Sequence, residues 1–205
     1  GPAWQMSIVD YILEPVNNTY DRVNTWRHPA GLRYLANELL FYFSGSLHIT
    51  KACKASRAWL KMADEQGKIA SNYGYYVFHQ LLSTQAFRTQ YRECRNKLLG
   101  KQQSRRAVII ILNPSHDMQG PDFPCTFTLH FIIENNKLNC IVSSRSTDVI
   151  LGLPYDMGFF SLVNELLWKD LTEHGIGIEL GYTMIKADLT QIYDKTSHLA
   201  ELVKT

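Results

Sequence analysis

Residues 122–160 read DFPCTFTLHFIIENNKLNCIVSSRSTDVILGLPYDMGFF, and this stretch decides the fold of the chain. Apolar and polar residues alternate over 127–133, which is the period of a half-buried strand. Asn135 and Asn136 tolerate positive φ and predict a tight hairpin turn before the return strand 137–144. Cys125 has the same parity as the apolar residues, so we expect it to start the first strand facing the interior.

A helix follows the hairpin after a short loop. Phe160, Val163, Leu167 and Leu171 recur at helical spacing over residues 157–171. The loop holds Pro154 and Asp156, and Asp is a favoured residue at a helix N-cap. The decisive stretch therefore predicts strand, turn, strand, loop and helix.

The remaining segments predict an α+β domain. Residues 32–43 carry the apolar stripe of a buried helix that Gly45 ends, and 49–63 predict another helix. Residues 4–24 have weak helical character with a turn at 15–18. The later segments are predicted as follows: a polar helix marked by Phe87, Tyr91, Cys94 and Leu98 that ends at Gly100, a strand over 107–112, a strand over 177–187, and a turn over 191–193. Helices first and strands later favour one α+β domain spanning residues 1–205.

Composition excludes several classes of protein. The chain has 205 residues, 45% apolar and 20% charged, with a net charge of +2, so no basic stripe predicts a nucleic-acid partner. No apolar run has membrane-spanning length, and we expect no signal peptide. The cysteines lack CxxC or disulfide-framework spacing, which predicts reduced thiols and a cytoplasmic protein; they are Cys53, Cys94, Cys125 and Cys140. No His/Cys cluster has the spacing of zinc ligands, so no metal is expected.

Three features allow two interpretations each from the residues alone. Glu38 lies off its helix's apolar stripe beside aromatic residues, so it is either solvated, as most helix carboxylates are, or held in a pocket with a raised pKa. The run 101–106, KQQSRR, is either a solvated strand entrance or an arginine fork for phosphate. Cys125 is either a buried structural cysteine, the more common case, or a nucleophile.

Several short motifs also occur in a fixed order along residues 21–193. They are Asp-Arg-Val-Asn-Thr at 21–25, Asn-Glu-Leu-Leu at 37–40, Trp59, Tyr-Gly at 73–74, Ser-Arg-Arg at 104–106, Pro-Cys at 124–125, Arg-Ser-x-x-Asp at 145–148, Gly-Leu-Pro-Tyr-Asp at 152–156, and Tyr193. In this order they resemble the thymidylate synthase superfamily. The Asp at 156 resembles its cytidylate hydroxymethylase branch, which has Asp where thymidylate synthases have Asn.

The resemblance implies a thymidylate synthase-like fold, a mixed sheet flanked by helices that dimerises through the sheet. It implies folate-dependent 5-hydroxymethylation of CMP or dCMP through a cysteine adduct at carbon 6. If the gene is carried by a phage, the cytoplasm in which the protein acts would be that of the host cell. The co-substrate would be 5,10-methylenetetrahydrofolate, with no membrane or nucleic acid involved. The implied residues are, for catalysis, Cys125, Glu38 and Asp148; for the nucleotide, Arg22, Arg145, Ser146, Asp156, Gln191 and Tyr193, with Arg105 and Arg106 from the partner subunit; and for folate, Trp59, Asp148 and Tyr73.

The chemistry of the bases supports a reading role for Asp156. Uracil offers an N–H donor and a carbonyl acceptor, which a side-chain amide pairs with on both sides. Cytosine offers an amino donor and a ring nitrogen that accepts, so a carboxyl group can accept from the first and share a proton with the second. Mispairing a buried polar group costs ~1–3 kcal/mol, enough to select a substrate. The alternative is that Asp156 only caps the following helix.

Departures from the family pattern leave other choices open. Thr126 and Ser144 replace the family's His and Gln, and Gln191 stands where the family has its ribose-binding His, so CMP and dCMP are both retained. Methylation of dCMP or dUMP by the same covalent route is the enzymatic alternative. A catalytically silent nucleotide-binding member is the alternative outside enzymes.

Overall fold

A mixed sheet of six strands forms the centre of the computed structural model, which describes residues 2–14, 30–82 and 88–202. The strands are β1 (Pro2–Leu13), β2 (Val108–Ile110), β3 (Thr126–Glu134), β4 (Lys137–Ser144), β5 (Thr147–Asp148) and β6 (Glu179–Tyr193). Their order across the sheet is β1-β6-β4-β3-β2, and β5 pairs with β6 beyond β4. The pairs β4–β6 and β5–β6 are parallel and the other pairs antiparallel.

The described residues form these α-helices: α1 (Ala30–Phe43), α2 (Ile49–Ala52), α3 (Gln90–Gly100), α4 (Leu153–Glu173) and α5 (Ser197–Leu202). The first four contribute buried side chains to the core on one face of the sheet. The crossover helix α4 buries Phe159, Phe160 and Val163 completely, in one core cluster with Leu129 and Val142 of the sheet. The predicted α+β class and mixed sheet are therefore confirmed. Of the helices in the described residues, none is long and apolar enough to cross a membrane.

The β3–β4 hairpin forms as the sequence predicts. Glu134 pairs with Lys137, and the two turn residues between them, Asn135 and Asn136, have φ of 50° and 60°. Positive φ at both central residues is the geometry of a type I′ turn, which Asn adopts more readily than most residues. The return strand has the predicted bounds, Lys137–Ser144.

The entrance to β3 differs from the prediction. Cys125 precedes the strand, and a register shift between Thr126 and Thr128 breaks the alternation of the strand there. The residue that becomes fully buried is therefore Thr126, whereas Cys125 stays half-buried. A bulge redirects the side chains before it, which a strict period of two does not anticipate.

Two further predicted elements are wrong in type or extent. Residues 4–24 do not start in weak helix: β1 occupies Pro2–Leu13, because Val9, Tyr11 and Leu13 alternate half-buried with exposed neighbours while the backbone pairs with β6. The predicted turn at 15–18, Arg22 and Phe87 lie outside the described residues. The last strand extends beyond 187 to Tyr193, since pairing with β1 and β5 continues its ladder through the predicted turn.

The helix predicted over 49–63 is interrupted. Only Ile49–Ala52 is α-helical, and a separate 3₁₀ helix occupies Arg57–Lys61. Ser56 between them is extended, with φ −159° and ψ 143°, and its hydroxyl accepts a hydrogen bond from the Ala58 N–H at 3.1 Å. Serine competes with helix by capping a new turn in this way.

A side chain is inserted where the parallel strands β4 and β6 change register. Asn139 is buried, and its Oδ1 accepts a hydrogen bond from the Tyr182 N–H at 3.0 Å. The space for this amide exists because residue 181 is glycine: a Cβ there would collide with Asn139 Oδ1 and lie 2.7 Å from the Leu138 carbonyl oxygen. Gly181 is thus required by close approach between strands.

We predict that Gly181→Ala destabilises the fold by about 1–3 kcal/mol, because Asn139 or the β4 backbone must move to admit the methyl group. Gly177→Ala is the matched control, since a Cβ at 177 meets no atom within 4 Å. Urea unfolding of the two variants measures the difference. Equal stabilities would contradict the account of the β4–β6 register.

Candidate active site

A cavity of about 480 Å³ lies beside the core, where α1, the start of α4 and the ends of β4 and β6 meet. Side chains from separate parts of the sequence line it together. The predicted site residues found there are Glu38, Trp59, Tyr73, Cys125, Arg145, Ser146, Asp148, Asp156, Gln191 and Tyr193. Cavities of this size accommodate a small organic ligand such as a nucleotide.

The thiol of Cys125 is one wall of the cavity. The Ser146 hydroxyl donates a hydrogen bond to Cys125 Sγ at 3.7 Å. Burial raises the pKa of this thiol, while the Arg145 guanidinium and the Ser146 hydrogen bond act in the opposite direction. Arg145 thus favours the thiolate, although burial outweighs its effect. The thiol keeps its proton at neutral pH until something in the site changes.

Arg145 is fixed by the backbone that leads to the cysteine. Its Nη2 donates to the Phe123 carbonyl at 2.8 Å, and its Nε donates to the Pro124 carbonyl at 3.2 Å. Its own N–H donates to the Cys125 carbonyl at 2.9 Å. Two of the five guanidinium N–H groups therefore hold the segment that leads to Cys125, and a third points at Ser146 Oγ, 3.4 Å away. The remaining donors are available to an anion in the cavity.

Glu38 is buried, with 5% of its surface exposed, so the solvated interpretation of this residue is wrong. The Tyr34 hydroxyl, one helical turn earlier, donates to Glu38 Oε1 at 2.7 Å. Burial raises the pKa of Glu38, hydrogen bonds from Tyr34 and Tyr42 lower it, and the neighbouring Asp156 raises it; the net pKa is about 8. The carboxyl group is therefore mostly protonated at neutral pH and lies close to its titration point.

Asp156 lies in the first turn of α4 instead of before it. The residue at the N-cap of the helix is Gly152, so the capping interpretation of Asp156 is wrong. Burial raises the pKa of Asp156 to about 7. At neutral pH this group is present both as an acid, which donates and accepts hydrogen bonds, and as a carboxylate, which only accepts.

Asp148 and Trp59 form another part of the lining. Asp148 Oδ1 accepts hydrogen bonds from the N–H groups of Ile150 and Leu151, both at 2.8 Å, which fixes the turn into α4. Among the described residues its Oδ2 has no such partner. A carboxylate oxygen and an indole that line the same cavity suit a planar heterocycle that carries N–H donors. The pterin ring of a folate has that chemistry.

Gln191 and Tyr193 line the cavity from the end of β6. Gln191 Nε2 donates to the Tyr193 hydroxyl at 2.7 Å. The pair leaves the amide oxygen as an acceptor and the phenolic O–H as a donor, which suits a sugar hydroxyl. Both residues sit in a strand, so their side chains are positioned by the ladder with β1 and β5.

Two of the predicted arginines lie elsewhere on the chain. Arg105 and Arg106 are exposed and line a separate surface cleft with Lys97 and Lys101. They do not contribute to the cavity of their own chain, which agrees with the expectation that they act on a partner but does not test it. Arg22 lies outside the described residues.

Several lining residues were not predicted. Tyr34 lies one helical turn before Glu38 and Tyr42 one turn after it. This spacing is visible in the sequence and could have indicated that the two tyrosines lie beside Glu38. Asp122 is buried and accepts hydrogen bonds from the N–H groups of Ala70 and Ser71, each at 2.7 Å, which ties two sides of the cavity together. No local pattern indicates that contact. In the described part of the chain no group of three His, Cys, Asp or Glu side chains could hold a metal ion.

Comparison with known families agrees with this geometry. The thymidylate synthase family model matches residues 23–204, so the chain belongs to the thymidylate synthase family, as its motifs predict. It is 31% identical over 144 residues to the deoxycytidylate 5-hydroxymethyltransferases of Enterobacteria phages T4 and T2, which is 67% of this chain and 56% of each relative. It is 25% identical over 177 residues to the thymidylate synthase of Haloferax volcanii, 77% of this chain and 50% of the relative. The chain spans about half the length of these curated relatives.

The raised pKa of Asp156 predicts a pH-dependent stability. The folded state holds its proton up to about pH 7, whereas the unfolded chain loses it near pH 4. The stabilisation is therefore full below about pH 4 and is lost as the pH rises to about 7, at up to about 1.4 kcal/mol per pH unit for one proton.

Asp156→Asn should make the fall in unfolding free energy between about pH 5 and 7 shallower. Urea titrations at several pH values measure it, with Asp188→Asn, an exposed carboxylate on β6, as the control. A slope unchanged by Asp156→Asn would show that Asp156 is not protonated in the folded protein.

Proposed function

We propose that the protein catalyses folate-dependent 5-hydroxymethylation of a cytidine monophosphate, CMP or dCMP. The observation that carries this proposal is the half-buried carboxyl of Asp156, with its raised pKa, in the same cavity as the thiol of Cys125. The similarity to the phage deoxycytidylate 5-hydroxymethyltransferases supports the same substrate class.

Recognition of cytosine follows from the protonation of Asp156. As an acid it donates to the ring nitrogen of cytosine and accepts from the amino group, so both polar atoms of the base are paired. Uracil would place its ring N–H against that acidic O–H, leaving a buried donor without an acceptor. One such mismatch costs about 1–3 kcal/mol, which is a preference of about 5-fold to 150-fold.

Cys125 is the proposed nucleophile. Its sulfur adds to carbon 6 of the pyrimidine, which makes carbon 5 nucleophilic. Because burial raises the pKa of this thiol, its proton must pass to water before the thiolate adds to carbon 6, and the Arg145 guanidinium stabilises that thiolate. Arg145 also offers its remaining donors to the phosphate, with Ser146 beside it.

Glu38 is the proposed proton-transfer group. Its pKa of about 8 lies near neutral pH, where a carboxyl both accepts and donates protons effectively. We assign it the movement of protons at carbon 5 and at the water that becomes the hydroxyl group. Gln191 and Tyr193 are assigned to the sugar.

Methylenetetrahydrofolate supplies a one-carbon unit at the oxidation level of formaldehyde when it is bound. Trp59 and Tyr73 would pack against its rings, and the free oxygen of Asp148 would accept from its N–H groups. A cavity wall of this kind also excludes bulk water, so the water that reacts is one that the site holds.

A homodimer formed through the sheet is the proposed assembly. Across the face opposite the helices, one row of cross-strand neighbours contains Ile12, Val108, His130, Ile141 and Met184. In the described chain none of these five belongs to the hydrophobic core, and His130 Nε2 is buried without a hydrogen-bond partner. An apolar row of this kind suits a second copy. The dimer would let Arg105 and Arg106 serve the partner's phosphate.

Methylation is the second candidate, favoured by the similarity to the Haloferax volcanii thymidylate synthase. The two reactions differ in whether water or a hydride from the folate captures the one-carbon unit on carbon 5. Product mass distinguishes them directly.

The test incubates the protein with methylenetetrahydrofolate and CMP, dCMP or dUMP separately. We expect a cytidylate to gain the mass of CH2O, and Cys125→Ser to abolish the gain while Cys53→Ser, a thiol outside the cavity, does not. A gain of CH2 would establish methylation instead. The absence of product with every substrate would contradict the proposed activity. A monomer in analytical ultracentrifugation of the same sample would contradict the proposed dimer.

Asp156→Asn should move preference from cytidylate towards dUMP by about tenfold or more, because the amide pairs with uracil. The ratio of turnover on dCMP and dUMP measures it, with Asp188→Asn as the control. An unchanged ratio would remove Asp156 from base recognition.

A further inference from the structure

Tyr34 contacts Glu38 directly in the cavity. Its hydroxyl donates to Glu38 Oε1 at 2.7 Å, and its ring packs on Tyr155 with centroids 4.4 Å apart. Tyr155 is the neighbour of Asp156 in α4, so the tyrosine ring bridges the two helices that carry the buried carboxyl groups. The phenol is therefore held from both sides and presents its proton to Glu38.

We infer that Tyr34 is a positioning residue, which holds one oxygen of Glu38 through its hydroxyl and so keeps this carboxyl able to accept the proton of the water that forms the hydroxymethyl group. The inference rests on the proposed function and adds a residue to it. Tyr34 does not itself touch the reacting atoms in this scheme.

The chemistry of the step explains why that hydrogen bond matters. The water oxygen bonds to the one-carbon unit on carbon 5, and the electron pair of the exocyclic double bond moves to form the ring double bond between carbons 5 and 6. The carbon–sulfur bond breaks with its pair on Cys125, and the proton from water goes to Glu38. Glu38 must be ionised to receive it, and a phenolic donor stabilises the ionised form.

The surroundings of Glu38 oppose its ionisation, except for the phenol groups of Tyr34 and Tyr42. Burial and the Asp156 carboxyl both raise the pKa of Glu38, whereas the hydrogen bonds of Tyr34 and Tyr42 lower it, that of Tyr34 more strongly. The pKa of Tyr34 itself is raised by burial and by Glu38, so the phenol remains a donor at any working pH. The other ionisable groups that line the same cavity are Tyr73, Asp122, Cys125, Arg145, Asp148, Tyr155 and Tyr193.

The test compares Tyr34→Phe with Tyr76→Phe. Phenylalanine keeps the ring that packs on Tyr155 and removes only the hydroxyl. Tyr76→Phe removes a comparable hydroxyl, which donates to the Ala70 carbonyl at 2.9 Å and makes no recorded contact with Glu38. Carbon-13 NMR of the side-chain carboxyls follows Glu38 in the ligand-free protein, assigned by its loss in Glu38→Gln.

We expect Tyr34→Phe to raise the titration midpoint of Glu38 by about one pH unit and Tyr76→Phe to leave it in place. The acidic limb of the pH profile of turnover should shift to higher pH by the same amount. At a pH below that limb, turnover should therefore fall about tenfold. An unmoved midpoint in Tyr34→Phe overturns the inference whatever the activity. If Tyr34→Phe moves the midpoint but the parent protein has no turnover, the Tyr34–Glu38 linkage is supported and the proposed function is contradicted.

Discussion

The packing of α4 against the sheet is the constraint on which the site depends. The same helix that buries Phe159 and Phe160 in the core presents Asp156 in its first turn to the cavity. The ring of Phe159 lies 4.6 Å from that of Tyr42 on α1, measured between centroids, which fixes the helix that carries Glu38. One core contact thus sets the separation of two carboxyl groups that come from distant parts of the sequence.

Bringing two carboxyl groups into one buried cavity opposes ionisation of both. Charged groups lose hydration on burial, which raises the pKa of Asp156 to about 7. Burial is also the main reason that the pKa of Glu38 rises to about 8, and the charge of Asp156 contributes to that rise. The resulting groups exchange protons near neutral pH. An ordinary solvated carboxylate could neither donate to a ring nitrogen nor take part in proton transfer in both directions. The cavity is therefore an unfavourable environment for ionised carboxylates, and this same property makes the two groups reactive near neutral pH.

The sequence predicted the hairpin and the helix after it because their patterns are local: Asn135 and Asn136 favour the turn, and the apolar residues of α4 keep helical spacing. The family motifs predicted ten lining residues because they occur in order along the chain. The burial of Glu38 was not predictable, since it depends on α4 packing over α1. The bulge before Thr128 and the full length of β6 also arise from pairing between distant strands.

Recognition of cytosine by the protonated form of Asp156 can be tested by calorimetry. Calorimetry of dCMP binding to Glu38→Gln, in buffers of different ionisation enthalpy, counts the protons taken up without interference from the second carboxyl. Since the free Asp156 has a pKa of about 7, uptake should rise from near zero at about pH 6 to nearly one proton at about pH 8.5, and dUMP should bind more weakly. Uptake near zero at both pH values, or tighter binding of dUMP, would contradict the claim.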